Sequence, residues 1–181
     1  MKKVIIILAV LLVVILILVG YSGFFSTVAI AEKEIGPFTM VLKKHTGSYY
    51  KTGKVFEEVE AVLQKRLDTK KLRAVGLYYD DPAKVKEEQL RSECGFIVEK
   101  ADIDKLGALP EYLIIKDFDK TPCAVAEFPI RTFLSYMIGP ARVYPKLAEY
   151  GKKKPFSGDF SIEIYDNQSK RITYCMAVKK K

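Results

Sequence analysis

The sequence predicts an α+β domain preceded by a single transmembrane helix. Two observations support this fold class: an unbroken aliphatic run at the N-terminus, and an order of strand, helix, strand, strand that occurs twice in the rest of the chain. Two pseudo-symmetric units of this kind would join edge to edge into one antiparallel sheet with both helices on one face. The opposite face of the sheet is then expected to be open.

The N-terminal segment is long and apolar enough to cross a membrane. Residues 4–19 are all aliphatic, and no charge occurs between Lys3 and Glu32. A bilayer core requires about 20 apolar residues, which residues 4–25 supply. The alternative is a cleaved signal peptide with Val28-Ala29-Ile30-Ala31 as its cleavage site. That site lies far from the aliphatic run, so the sequence favours an uncleaved anchor.

The predicted boundaries divide the chain into five parts. They are a basic N-terminus (1–3), a transmembrane helix (4–25), a linker (26–36), the folded domain (37–178) and a basic C-terminus (179–181). Lysines that precede the helix favour a cytoplasmic N-terminus and an exported domain. Because this rule rests on two lysines, the opposite topology stays open.

Charge and cysteine content narrow the classes of partner. The net charge is +8, and lysine clusters at 2–3, 152–154 and 179–181 suit solvated turns or contact with anionic lipid headgroups. No basic helix, zinc-finger spacing or aromatic platform accompanies this charge, so no nucleic-acid partner is expected. The three cysteines lack C-x-x-C spacing, which predicts buried thiols rather than a disulfide set or a metal site. No cofactor is expected.

The first unit is defined by hydrophobic periodicity. Strands are predicted over 38–44, 72–79 and 94–98, and a helix over 52–67 with Phe56, Val59, Leu63 and Leu67 as its apolar stripe. Asp80-Asp81-Pro82 ends the second strand, because proline cannot donate a hydrogen bond to a sheet. The polar segment 83–90 allows a helix.

The second unit follows the same order. Strands are predicted over 112–118, 123–128, 160–165 and 171–178, and a helix over 131–150 with a kink or break at Gly139-Pro140 and Pro145. The last two strands form a hairpin across Asp166-Asn167. In both units the strand after the helix ends in Tyr-Asp, at Tyr79-Asp80 and Tyr165-Asp166, which supports a repeat.

Few side chains suit catalysis. His45 is the sole histidine, so Ser-His-Asp and multi-histidine metal arrangements are excluded, and no catalytic residue is assigned. A turn role for His45 is favoured over a base. Glu163 lies in a strand whose alternation places it on one face with Ser161 and Tyr165. That face is either solvated or lines a ligand cleft, where burial would penalise the charged carboxylate.

Four short motifs resemble the GyrI-like, SHS2-type effector-binding family. They are His45-Thr46-Gly47-Ser48-Tyr49, Tyr78-Tyr79-Asp80-Asp81-Pro82, Arg91 with Cys94-Gly95, and Ile162-Glu163-Ile164-Tyr165. The resemblance implies two strand-helix-strand-strand units with a cleft between them and a glutamate as the usual ligand contact, which Glu163 matches. Tyr49, Tyr79 and Tyr165 would be wall residues. Some members hydrolyse strained cyclopropane compounds with this glutamate and an aromatic partner; this chain has no tryptophan, so such a role would rest on tyrosine.

One branch of the family resembles the chain further. Gly20-Tyr21-Ser22-Gly23, Tyr49 with Thr52-Gly53, and Arg142-Val143-Tyr144-Pro145 are similar to the family's ER-phagy receptors, in which one N-terminal membrane helix precedes the domain. Those receptors carry a long acidic tail with an aromatic motif, which these 181 residues do not contain. The autophagy role is therefore not expected to transfer.

These observations predict a membrane-anchored small-molecule or effector-binding domain without catalytic activity. Its expected partners are the bilayer, through residues 4–25, a small amphipathic, cationic or apolar ligand in the cleft, and proteins at the membrane. The alternatives are an adaptor or receptor at the endoplasmic reticulum (ER) membrane and a hydrolase that uses Glu163. The expected location is the ER membrane with the domain cytosolic; the alternative is a bacterial inner membrane with the domain outside the cytoplasm.

Overall fold

The computed structural model describes residues 1–178 of the chain. Its helices are α1 (Lys2–Val19), α2 (Thr52–Leu63), the short α3 (Ile103–Leu106) and α4 (Ser135–Lys153). Its strands are β1 (Ile30–Ile35), β2 (Phe38–Thr46), β3 (Arg73–Tyr78), β4 (Arg91–Val98), β5 (Leu113–Phe118), β6 (Thr121–Pro129), β7 (Phe156–Asp166) and β8 (Arg171–Val178). The basic C-terminus predicted at 179–181 lies outside the described residues.

The eight strands form one antiparallel sheet in the order β1-β6-β8-β7-β3-β4-β2-β5. Each unit contributes three strands in the same arrangement, β2-β4-β3 and β6-β8-β7, and the units join where β3 pairs with β7. Strands β1 and β5 extend the two edges. Because β3 and β7 are antiparallel, the helices that precede them, α2 and α4, also run in opposite directions. The predicted α+β class and its repeat are confirmed.

The face of the sheet away from the helices is not open, which corrects the expectation from sequence. It carries a buried apolar cluster drawn from six strands: Met40, Leu42, Val75, Leu77, Ile97, Cys123, Val125, Ile162, Ile164 and Cys175. Ile35 and Phe118, from the two edge strands, pack against the same cluster. Strand twist lets a wide sheet curl over one face, and burial of these side chains favours that curl. All three cysteines are free and buried, as predicted.

Four segments differ from the sequence prediction: β1, α4, the predicted helix 52–67, which ends at Leu63, and α3, which the sequence did not predict. Residues 30–35, within the predicted linker, form strand β1 and pair with β6 from Ile30↔Ala126 to Ile35↔Thr121. Helix α4 is continuous through Gly139, Pro140 and Pro145, where the sequence predicted a kink or break, so no break occurs there. One stripe of the helix is buried against the sheet: Ser135, Gly139, Val143 and Leu147. This packing offsets the loss of the backbone hydrogen bonds that the prolines cannot donate.

The apolar helix α1 is held directly against the domain. The helical segment Lys2–Phe24 contains an 18-residue stretch with a mean hydropathy of 3.5, which is not buried by the rest of the protein, and the segment is long and apolar enough to span a membrane. It ends in a π-helical turn (Gly20–Phe24) in which the Ser22 hydroxyl donates to the Leu18 carbonyl. The same hydroxyl lies 2.6 Å from Oγ1 of Thr132, and Ser135 Oγ donates to the Ser22 carbonyl at 2.9 Å.

Replacing Ser135 with alanine is expected to destabilise this junction. Its buried hydroxyl also accepts the backbone N–H groups of Arg131 and Thr132, so the change leaves buried polar groups without partners. The expected loss in free energy of unfolding is about 1–3 kcal/mol. Thermal unfolding of the full chain measures it, and faster protease cleavage near residue 26 would report a looser anchor. Thr27→Ala, at an exposed position, is the control and should leave both readouts unchanged.

Candidate functional site

A large cleft lies on the helical side of the sheet, between α2 and α4. Its volume is about 1170 Å³. Strands β3 and β7 form its floor, where Gly76 pairs with Glu163 and Tyr78 pairs with Ser161. Aromatic side chains from both helices line its walls, among them Phe56 and Tyr144. The cleft therefore lies along the pseudo-two-fold axis, where the two units meet.

Glu163 lies at the floor of this cleft and is 5% exposed. Its Oε1 accepts a hydrogen bond from the Tyr144 hydroxyl at 2.6 Å, and its Oε2 accepts one from the Tyr165 hydroxyl at 2.7 Å. Neither partner carries a positive charge. Among residues 1–178, the groups that act on this carboxyl are these two tyrosines. The solvated alternative for this strand face is therefore wrong at Glu163.

Burial raises the pKa of Glu163 from its ordinary value of 4.5 to about 7, although the hydrogen bonds from Tyr144 and Tyr165 act in the opposite direction. Desolvation dominates because a buried anion loses its hydration, and two neutral donors replace only part of it. Burial and the nearby carboxylate also raise the pKa of both tyrosines well above its ordinary value. These phenols stay protonated and act as donors.

A network of phenols surrounds the carboxyl. The hydroxyls of Tyr165 and Tyr78 lie 3.0 Å apart, and the Tyr144 hydroxyl lies 3.0 Å from Oγ of Ser161. Gly76 is required beneath Tyr78, because a Cβ there would lie 2.7 Å from a ring carbon of that tyrosine. The absence of a side chain on the central strand thus lets the Tyr78 ring lie across the cleft floor.

The structure separates the sequence-predicted site residues into two groups. Tyr165 touches Glu163 directly, and Tyr49 lines the wall with its ring 4.9 Å from that of Tyr78. Tyr79 lies at the edge of the cleft, but its ring packs with the curled face of the sheet, and its hydroxyl donates to Glu93 at 2.8 Å. It does not reach Glu163.

Sequence reasoning missed Tyr78 and Tyr144 as partners in the site. Tyr78 could have been found from strand alternation, since Tyr78 and Tyr79 point to opposite faces and only one can share a face with Gly76. No local signal marks Tyr144, because the helix that carries it meets Glu163 only in the folded domain. His45 lies near the end of β2, paired with Ser92, and not in the turn that the sequence predicted; its ring nitrogen is 3.3 Å from the Ser48 carbonyl oxygen in the turn that follows.

The site combines a buried acid with an aromatic enclosure. No cationic side chain among residues 1–178 is hydrogen-bonded to Glu163, so a positively charged ligand would pair with its ionised form, and the rings of Tyr49 and Phe56 offer π-faces to apolar groups of the ligand. A carboxyl with a pKa near 7 can also exchange a proton at neutral pH. Within residues 1–178, no group of three or more histidine, cysteine or acidic side chains is placed to hold a metal ion.

Solved structures share this fold at low sequence identity. The EcmrR C-terminal domain matches 85% of this chain and 99% of its own, with 13% identity and a TM-score of 0.61. SAV2435 bound to tetraphenylphosphonium matches 83% of this chain and 94% of its own, with 13% identity and a TM-score of 0.54. A hydrolase from Listeria innocua matches 83% and 91%, with 8% identity and a TM-score of 0.55.

Two curated relatives are more similar in sequence. Testis-expressed protein 264 homolog of Mus musculus is 31% identical over 154 residues, and testis-expressed protein 264 of Homo sapiens is 30% identical over 154 residues. Each match covers 81% of this chain. The chain spans about half the length of these relatives, 48% and 47% respectively. Residues 29–173 match the family model, and the chain therefore belongs to the GyrI-like small molecule binding domain family.

Proposed function

We propose that the protein is a membrane-anchored binding domain without catalytic activity, whose cleft takes an amphipathic cation with large apolar groups. The observation that carries this proposal is the buried Glu163, which is hydrogen-bonded by two neutral tyrosines and has no counter-ion among them. A bound cation would compensate the charge that burial disfavours.

The enclosure fits such a ligand in size and chemistry. Ligand pockets commonly measure about 300–1,000 Å³ and are lined mostly by apolar and aromatic side chains. The cleft, at about 1170 Å³, lies slightly above that range and includes Phe56, Met137, Tyr144 and Phe160 in its lining. Tetraphenylphosphonium, which accompanies SAV2435 in its solved structure, is a ligand of this class and a suitable probe.

Binding of tetraphenylphosphonium to the full chain in lipid nanodiscs tests the proposal. Glu163→Gln keeps the shape of the side chain and removes its charge, so affinity is expected to fall at least tenfold, since removal of one partner of a buried charge pair costs about 2–5 kcal/mol. Glu57→Gln removes an exposed carboxylate from α2 and is the matched control. Equal affinity of wild type and Glu163→Gln, with both folded, would overturn the proposal.

A hydrolase is the second candidate, because a carboxyl with a pKa of about 7 can act as a general base. Each oxygen of Glu163 accepts one tyrosine hydrogen bond, which leaves a second lone pair on each oxygen for a substrate proton. Turnover of electrophilic cyclopropane or ester compounds that disappears in Glu163→Gln would favour this candidate over simple binding.

We propose the ER membrane as the location, with the domain cytosolic, from the resemblance of the N-terminal motifs to those of the ER-phagy receptors of the family. An adaptor role with protein partners at that membrane is compatible with the same topology. Protease protection on sealed vesicles tests it: cleavage of the domain from outside microsomes supports the cytosolic side, and protection until detergent is added contradicts it.

A further inference from the structure

The end of α4 that lies beside the anchor carries exposed apolar side chains. Phe133, which precedes the helix, is 75% exposed, and Met137, in its first turn, is 56% exposed. Both lie next to Thr132 and Ser135, the residues that hold the Ser22 turn. Large apolar side chains of this exposure, close together in space and sequence, commonly mark an interaction site.

The geometry of the anchor fixes where these side chains lie. Helix α1 has 18 residues and is therefore roughly 27 Å long, against a hydrocarbon core of about 30 Å. The boundary of the membrane thus falls within the turn Gly20–Phe24. Since Ser22 in that turn is bonded directly to Thr132, no linker separates the membrane boundary from the start of α4.

The same junction has the side-chain composition of a membrane interface. The guanidinium of Arg131 lies 6.0 Å from the Tyr21 ring centroid, and that of Arg142 lies 5.6 Å from the Phe24 ring centroid. Both arginines also donate to backbone carbonyls of this segment, of Tyr21 and Ser26. Aromatic rings and arginines with apolar stems are enriched at the headgroup level of bilayers.

We infer that Phe133 and Met137 form a membrane-contact surface that inserts into the bilayer interface beside α1. The occupant of this surface is the lipid of the bilayer that holds the anchor. The domain then lies on the membrane in one fixed orientation. Tyr50, at the N-terminal end of the oppositely directed α2, is 86% exposed and faces away from the bilayer.

If the cleft binds a ligand, as the proposed function states, this orientation limits the class of ligand that can reach it. Tyr136 and Met137 line the cleft at the end nearest the anchor, and the Tyr136 hydroxyl donates to Asn167 across that end. With Met137 in the interface, this end of the cleft opens at the lipid surface. The ligand is then an amphiphile that partitions into the membrane and enters from it.

Depth-dependent fluorescence quenching tests the contact surface. Phe133→Cys and Met137→Cys, each carrying an environment-sensitive NBD label, are placed as full chains in phosphatidylcholine vesicles with lipid-borne nitroxide. Phe25→Cys, at the end of the anchor, is the positive reference, and Tyr50→Cys, at the far end of the cleft, is the matched control. The native cysteines are buried, and the unmodified chain treated in parallel gives the background labelling.

Labels at 133 and 137 should lose intensity to the same extent as the label at 25, while the label at 50 keeps its intensity. Unquenched labels at 133 and 137 would overturn the inference, as would quenching at 50 equal to theirs. A blue shift without nitroxide quenching would mean that a second copy or another protein covers the surface, and would also overturn it. The quenching readout uses no ligand, and Glu163→Gln should give the same pattern. Failure of the membrane-contact inference can therefore be distinguished from failure of the proposed function.

Discussion

Affinity for a lipophilic cation is expected to rise about tenfold per pH unit from about pH 5 toward pH 7, and to level off above that. The reason is that the cation pairs with the ionised form of Glu163, whose pKa is about 7. Below this value a proton must leave the carboxyl before the cation binds. Titration of tetraphenylphosphonium at several pH values, on the full chain in nanodiscs, measures the dependence.

The variant Glu163→Gln should bind with a weak affinity that does not change over the same range, because Tyr144 and Tyr165, whose pKa values are raised well above the ordinary value, stay protonated throughout it. A wild-type affinity that is constant from about pH 5 to about pH 8 would contradict a carboxylate contact. An affinity that falls as the pH rises would indicate that the ligand instead takes a hydrogen bond from the protonated acid.

The raised pKa of Glu163 has the opposite effect on the free energy of unfolding of the ligand-free protein, which falls as the pH rises. The folded state raises the pKa of Glu163 from 4.5 to about 7, so the stabilisation is complete below about pH 4.5 and is lost as the pH rises through 7. The difference between these values corresponds to about 3 kcal/mol. Denaturant unfolding of Glu163→Gln should therefore show a flatter pH dependence than wild type. Bound cation should remove most of the loss at high pH.

Gly95→Ala is expected to lower the free energy of unfolding by about 4 kcal/mol or more, the largest single effect in the domain. Gly95 lies in β4, between β2 and β3, and a Cβ at this position would lie 1.9 Å from the carbonyl oxygen of Val41. Backbone in the middle of a sheet cannot move without separating the strands. Denaturant unfolding and soluble yield of the full chain measure the loss.

Gly53→Ala is the matched control for this prediction. Gly53 lies in the first turn of α2, and no atom lies within 4 Å of its added Cβ. Alanine has the higher helix propensity, so this change should stabilise the protein by roughly 0.5–1 kcal/mol. Equal effects of the two substitutions would contradict the close approach of β2 and β4 that Gly95 permits.

The repeat was predictable because it is encoded locally. Alternation in the strands, the apolar stripe of α2 and the two Tyr-Asp ends each arise from neighbouring residues, and they indicate the same unit twice. The curl of the sheet was not predictable in this way. It depends on Ile35 and Phe118 packing against a cluster that is drawn from six other strands, and no single strand contains that information.

The site residues show the same distinction between features encoded by neighbouring residues and features that depend on the fold. The sequence by itself determined the long apolar N-terminal helix, the α+β repeat, and Glu163 and Tyr165 on one strand face, because a two-residue period and an aliphatic run are properties of neighbouring residues in the chain. Only the tertiary structure decided that Tyr144 and Tyr78 complete the hydrogen-bond network around Glu163, that Tyr79 lines the cleft without joining that network, and that the turn after α1 is bonded directly to the start of α4. Those outcomes depend on contacts between distant residues, which form when helices and strands pack and bury their apolar faces.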